Sequence, residues 1–282
     1  MGSSVPRRTA PHTTASDAPC AGSCKTRPVR VLLVSDLHYD LARFDWLMQR
    51  VVDPVDAIDV AVIAGDLLDI ASSVPLDTQI AVILAYLERL GAVLPTVVCS
   101  GNHDLDHRTE SGEKATGWLA EARHHGVYVD GDSLDIGGWR MTACAWWEGP
   151  NTLAALEQRL AEAAVDRPAR WLWAFHGPPE GPLSWTGKQH FGDPELPRLL
   201  DLHRPDIVLC GHIHQAPFTA DGAWAEYRDG TWLFNGGLQR GNRPTFVELE
   251  LDDDEAFWWS EFGSGQFEFD DPASADHARV EA

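Results

Sequence analysis

The stretch Val29-Arg30-Val31-Leu32-Leu33-Val34-Ser35-Asp36-Leu37-His38 decides the fold. It runs from β-branched and apolar residues into polar ones, the look of a strand buried on both faces. The device repeats downstream. Arg43 to Val52 has helical spacing, and Val60 to Ala64 (VAVIA) is a second buried strand ended by Gly65. Leu76 to Leu90 reads as a long apolar-rich helix stopped by Gly91, and Thr96 to Ser100 (TVVCS) as a third strand ended by Gly101. This β-α-β-α-β order predicts parallel strands joined by right-handed crossovers.

The second half continues in shorter pieces. Trp118 to His125 reads as a short helix, and Val127 to Val129, Ser133 to Ile136 and Arg140 to Ala145 as strands between Gly and Asp turns. Asn151 is placed to cap a helix that runs to about Val165. Trp171 to Phe175 is a strand ended by His176-Gly177, Pro194 to Leu202 a helix, and Ile207 to Cys210 a strand ended by Gly211. Thr231 to Phe234 and Thr245 to Leu251 close the set. Residues 1–28, rich in Ser, Thr, Pro and Ala, are expected to be a disordered tail. Residues 29–265 are expected to form one domain, and 266–282 an acidic, partly frayed tail. Trp258, Trp259, Phe262, Phe267 and Phe269 imply that part of the C-terminal segment packs back on the body.

With 282 residues, 44% of them hydrophobic, the chain can bury a sizeable core. No run approaches the ~18 apolar residues of a membrane helix. Lys and Arg number 22 against 43 Asp and Glu, a net charge of −21, so a nonspecific nucleic-acid coat is not expected. Cys99, Cys144 and Cys210 sit in or beside apolar runs and read as buried thiols, while Cys20 and Cys24 lie in the tail. Arg7-Arg8 lacks the apolar segment of an export signal, which leaves a soluble cytoplasmic protein as the expectation.

Five strand ends carry metal-competent side chains: Asp36-Leu37-His38, Gly65-Asp66, Gly101-Asn102-His103-Asp104, His176, and Gly211-His212-Ile213-His214. In α/β sheets the C-terminal strand ends face a common crevice, so distant residues can converge there. Carboxylate, imidazole and one amide oxygen suit borderline divalent metals such as Mn, Fe, Zn or Co. Two carboxylates, four histidines and one Asn exceed what one catalytic ion needs. They are the supply for two ions sharing a carboxylate.

These five blocks, in this order and with no ligand position substituted, resemble the calcineurin-like metallophosphoesterase superfamily from about Val29 to Leu251. The resemblance implies a four-layer αββα sandwich of two mixed sheets. It implies that Asp36, His38 and His214 hold one ion with Asp66, and that Asp66 bridges to a second ion held by Asn102, His176 and His212. His103 would face substrate as general acid or phosphoryl stabiliser, and Asp104 would orient His103 by accepting its other ring N–H. A bridging hydroxide would attack phosphorus. Phe175-His176-Gly177-Pro178-Pro179 and the Asn235-Gly236-Gly237 turn look most like the small bacterial branch with class III cyclic nucleotide phosphodiesterases.

The reading is therefore a dinuclear phosphodiesterase acting on a small substrate such as a nucleotide. A phosphomonoesterase or phosphoprotein phosphatase is the alternative; a DNA nuclease or a non-catalytic interaction module ranks lower. Trp185, Lys188 and His190 lie in a Gly/Pro-rich loop that could rim the site, though an ordinary surface loop is the slightly better reading. Arg240 and Arg243 could touch a substrate anion or make a local salt bridge. Trp146-Trp147 and Trp258-Trp259 could form an exposed patch and a homodimer contact, with core packing the safer reading.

Overall fold

The computed structural model describes residues 28–124 and 126–279. The chain opens with β1 (Arg30–Val34), α1 (Leu41–Val51), β2 (Val60–Ala64), α2 (Leu76–Gly91) and β3 (Thr96–Cys99). A small hairpin, β4 (His107–Arg108) and β5 (Lys114–Ala115), precedes β6 (Val127–Tyr128), β7 (Ser133–Ile136) and β8 (Trp139–Cys144). Then come α3 (Pro150–Ala163), β9 (Arg170–Phe175), α4 (Leu196–His203) and β10 (Ile207–Cys210). β11 (Ala225–Arg228), β12 (Thr231–Asn235), β13 (Phe246–Glu250), β14 (Glu255–Ser260) and β15 (Gly263–Glu268) complete the set.

One sheet has the order β15-β14-β13-β1-β2-β3-β6 and the other β11-β12-β10-β9-β8-β7. Both are mixed. β1, β2, β3 and β6 run parallel, and β13 joins β1 antiparallel. β8, β9, β10 and β12 run parallel, flanked by antiparallel β7 and β11.

Alternation along the strands assigns the layers. Val31, Leu33, Val60, Val62 and Val97 point between the sheets, on the side of Met141, Leu172, Ala174 and Leu209, while Trp171 and Trp173 face His203 of α4. Leu32, Val34, Ala61 and Ile63 point the other way, against Phe44 and Leu47 of α1 and Ile83 and Leu87 of α2. Leu156 and Leu160 of α3 and Leu196 and Leu199 of α4 cover the second sheet. The result is the expected αββα sandwich. β2 is buried throughout because both its faces are covered, which is why VAVIA shows no alternation in sequence.

Two expectations change. The α3 N-terminus is not capped by Asn151. The Glu113 carboxylate accepts the N–H groups of Asn151 (3.0 Å) and Thr152 (2.7 Å) instead, so the hairpin after β4 closes the helix. The boundary expected at residue 265 falls inside β15, and Pro272–Ala278 forms a 3-10 turn with Ala278 buried. Phe267 and Phe269 pin this segment against Trp232 and Phe234, so residues 266–279 belong to the domain. Trp258 is buried and Trp259 lies under Arg243, in line with the core-packing reading of this pair. The expected tail falls almost wholly outside the described residues, and Cys20 and Cys24 with it; Cys99, Cys144 and Cys210 are buried free thiols.

Candidate metal centre

The parallel strands of both sheets end at one rim. There β1, β2 and β3 of the first sheet meet β9 and β10 of the second. The loops turn at once. Asp36 (φ 54°), His38 (φ 47°), Asp66 (φ 54°) and His212 (φ 68°) all take the left-handed conformation. Each such residue costs about 1–3 kcal/mol and persists only where the surroundings over-determine it. Here cross-loop hydrogen bonds do so. Asp36 N–H donates to Gly65 O, His38 N–H to Asp66 O, and Gly211 N–H to His176 O, all at 2.9–3.0 Å. The glycines are required by close approach. A Cβ at Gly65 would collide with the His176 ring, and one at Gly101 with the Asp66 carboxylate.

Three sets of side chains converge within 4.8 Å: Asp36, His38 and His214; Asp66, His176 and His212; and His38, Asp66 and His103. His214 Nε2 lies 3.2 Å from both Asp36 Oδ1 and His38 Nε2. His176 Nε2 is 3.3 Å from Asp66 Oδ2, and His38 Nε2 is 3.9 Å from that same oxygen. Asp66 thus stands between the two ligand groups. The donor set fits divalent ions on a further ground. Asn102 Oδ1 and His176 Nε2 are buried, and neither makes a well-directed hydrogen bond. His176 Nδ1 lies 2.7 Å from Ala64 O. A carbonyl only accepts, so the proton sits on Nδ1 in the neutral ring and Nε2 presents its lone pair to the centre.

The charges of the cluster offset one another. Burial works to raise the Asp36 carboxyl, but the His214 hydrogen bond and the charges of His176, His214 and His38 hold it below the ordinary carboxylate range. Asp66 is lowered in the same way, with burial opposing and His176 prevailing. Burial pushes the His176 imidazole down, yet Asp66 and Asp36 more than reverse this and raise it to about 9. Burial and then the His176 charge lower His212 to about 4. Ions binding here would take the place of protons.

Asp104 departs from expectation. Its Oδ1 accepts the N–H groups of Leu67 (2.9 Å) and Leu68 (3.0 Å), and its Oδ2 that of Gly101 (2.8 Å). It ties the Asp66 loop to the Asn102 loop and accepts nothing from His103, whose Nδ1 is buried and unpartnered. Burial, then the Asp66 charge, raises Asp104 to about 8. His103 itself is where expected: its backbone N–H donates to Asp66 Oδ1 and its ring packs edge-on against His38 at 4.6 Å.

The structure brings none of the five proposed substrate-binding residues into contact with these ligands. Trp185 packs on His190 at 4.8 Å and donates its Nε1–H to Ala220 O; His190 Nδ1 reaches Gly181 O, and Lys188 is exposed. They brace their own loop. Arg243 lies 3.5 Å over the Trp259 ring, and Arg240 is exposed.

Three residues that the sequence did not place at the centre do bear on it. Trp146 packs its ring against His176 (5.6 Å) and His212 (5.4 Å). Buried Arg43 donates to the carbonyls of Asp36 (3.3 Å) and Gln239 (2.9 Å), joining α1 to the first ligand loop. Asn235 donates to Ile213 O (3.1 Å) and so steadies the loop between His212 and His214. Arg43 sat in plain view as a cation on the apolar face of α1, a signal for a buried partner. Trp146 carried no signal, because its neighbours come from β9 and β10.

Comparison with known proteins agrees with this geometry. The calcineurin-like phosphoesterase family matches residues 29–216, and the chain belongs to that family. Among solved structures, TT1561 of Thermus thermophilus is similar at 17% identity, with 86% of this chain and 99% of that one covered and a TM-score of 0.52. GAP50, described as the anchor in the inner membrane complex of Plasmodium, is similar at 10% identity, with 89% and 93% covered and a TM-score of 0.52. YfcE, a phosphoesterase from E. coli, is similar at 15% identity, with 86% and 100% covered and a TM-score of 0.43. At these identities the likeness concerns the fold. No curated protein matches the chain. Among the described residues, no helix is long and apolar enough to cross a membrane.

Proposed function

We propose that the protein is a dinuclear metal-dependent phosphohydrolase that prefers phosphodiesters of small size. The observation that carries the reading is the position of Asp66 between two ligand groups, within 3.3 Å of His176 and 3.9 Å of His38. Asp36, His38 and His214 would hold one ion with Asp66, and Asn102, His176 and His212 the other. Two divalent ions of the Mn, Fe, Zn or Co kind supply Lewis acidity and an activated water when bound.

The chain's own residues do the rest. His103 has one ring nitrogen facing Asp66 and a partly exposed side chain, which suits it to give a proton to a departing alkoxide or to stabilise a phosphoryl oxygen. Asp104, Arg43 and Asn235 keep the ligand loops in register. A diester fits better than a monoester because the cavity beside His212 is lined by no Lys or Arg. A monoester dianion would enter those acidic surroundings with more charge to balance. A net charge of −21 also disfavours a DNA nuclease. The second reading, a role without catalysis, draws on GAP50, a structure of this fold described as an anchor.

The test is hydrolysis of bis-p-nitrophenyl phosphate and p-nitrophenyl phosphate by metal-stripped protein reloaded with Mn²⁺, with ion stoichiometry measured on the same sample. The expected result is faster diester turnover with about two ions per chain. Monoester preference would replace the diesterase reading. Two bound ions without turnover of either ester would overturn the enzymatic one.

A further inference from the structure

A cavity of about 260 Å³ opens directly beside His212. Its walls include Trp146, Trp147, Glu148, Phe191 and Asp193. It is larger than the roughly 150 Å³ in which a protein interior can hold a benzene ring. Its chemistry is one-sided. Three of these five side chains are aromatic, and none is cationic. Phe191 stands at the rim 52% exposed, a large apolar ring without full cover.

The polar groups are already engaged. Asp193 accepts the Trp147 Nε1–H at 2.9 Å and the backbone N–H groups of Glu195 and Leu196 at 2.8 Å. Glu148 accepts the Trp146 Nε1–H at 2.9 Å. These bonds fix both indoles, so the walls are set before anything enters. The Trp146 ring also contacts the His176 and His212 rings, so a phosphoryl group beside those histidines would carry its ester substituent toward this wall.

We infer that this cavity is the specificity pocket of the phosphohydrolase, and that it takes a neutral planar ring, an aryl group or a nucleobase, borne on the phosphoester. The inference rests on the reading of the Asp66 cluster as a phosphoester site. The ring stacks against Trp146, Trp147 or Phe191, as bases stack on aromatic side chains elsewhere. A second anionic group on the substrate is rejected, because the pocket offers Glu148 at its edge and no Lys or Arg to balance it. Polyphosphates are excluded on the same ground.

Binding of non-hydrolysable phosphonates separates this inference from catalysis. The Mn²⁺-loaded protein is titrated by calorimetry with methylphosphonate, phenylphosphonate and 4-carboxyphenylphosphonate. Phenylphosphonate should bind on the order of tenfold tighter than methylphosphonate. The carboxylate should cancel most of that gain. Phe191→Ala should reduce the phenyl-to-methyl ratio severalfold while leaving methylphosphonate affinity as it was, which also shows that the variant is folded. Equal affinity for methyl and phenyl in the wild type overturns the pocket while the phosphoester reading stands. So does a ratio untouched by Phe191→Ala. Undiminished binding of the carboxylated ring overturns the exclusion of anions. If no phosphonate binds a protein holding two ions, the phosphoester reading fails and takes the pocket with it.

Discussion

Two ends of the molecule are built on opposite terms. At the ligand rim, four ligand residues sit at positive φ and two buried carboxylates face five imidazoles. At the opposite edge, where β15 of the first sheet faces β12 of the second, Trp232 packs on Phe234 (6.1 Å), Phe267 (5.4 Å), Phe269 (6.1 Å) and Tyr227 (5.2 Å). The first region is strained and charged. The second is relaxed and aromatic and carries no chemistry. The difference teaches where stability and function reside. A chain can tolerate a costly rim when a dense core elsewhere supplies the surplus.

The sharpest way to break this division is to damage each end and read both properties. Trp232→Ala removes a nearly buried ring from the aromatic cluster. The expected loss is about 3–5 kcal/mol, a fall in melting temperature of about 10 °C. Metal content and turnover per folded molecule should stay unchanged below the new transition. A change in ion stoichiometry would show that the two ends are not separable.

Asp66→Asn is the reverse experiment and the next largest effect. It keeps an oxygen to accept the His103 N–H but removes the charge between the ligand groups. Turnover should fall by more than the roughly 100-fold typical of losing an outer-sphere partner. Ion stoichiometry should drop, and the ion-free protein should melt earlier than wild type, since the buried His176 ring loses the carboxylate paired with it. Full activity in the variant would take Asp66 out of the centre.

Much of the rim could be read from sequence because each strand ends abruptly. A buried apolar run followed by Gly and a ligand, as in VAVIA-Gly65-Asp66 or IVLC-Gly211-His212, announces both the strand and the turn. The parallel crossovers followed from the same runs. What stayed hidden depended on contacts between segments far apart in the chain. Trp146 reaches the centre only because β8 pairs with β9, and Asp104 serves three backbone N–H groups from two different loops. β14 and β15 were obscured by composition. The run Asp252 to Glu255 and the Gly263-Ser264-Gly265 segment carry no apolar alternation. In the structure the former makes the β13–β14 turn, where Asp252 accepts the Val29 N–H at 3.1 Å, and the latter pairs with Trp258, Trp259 and Ser260.

The smallest of the three effects refines the comparison by measuring what the rim gives away. Asp130 is half-buried and accepts the N–H of Ser100, just before Gly101 and Asn102, at 2.8 Å. Burial raises its carboxyl to about 6, with Ser100 opposing and the charge of Asp132 assisting. The unfolded value is near 3.9. Between about pH 4 and pH 6 the native state therefore keeps a proton that the unfolded chain has lost. Stability falls as pH rises through that window and is flat above it, by up to about 3 kcal/mol for this group. Asp130→Asn can still accept from Ser100 and has no charge to bury. The variant should match wild type near pH 4 and exceed it by about 2–3 kcal/mol at pH 7 in denaturant titrations of the ion-free protein. An equal gap at both pH values would assign the cost to packing. No gap at either would mean that water reaches the carboxylate, and this part of the rim would then carry no electrostatic burden.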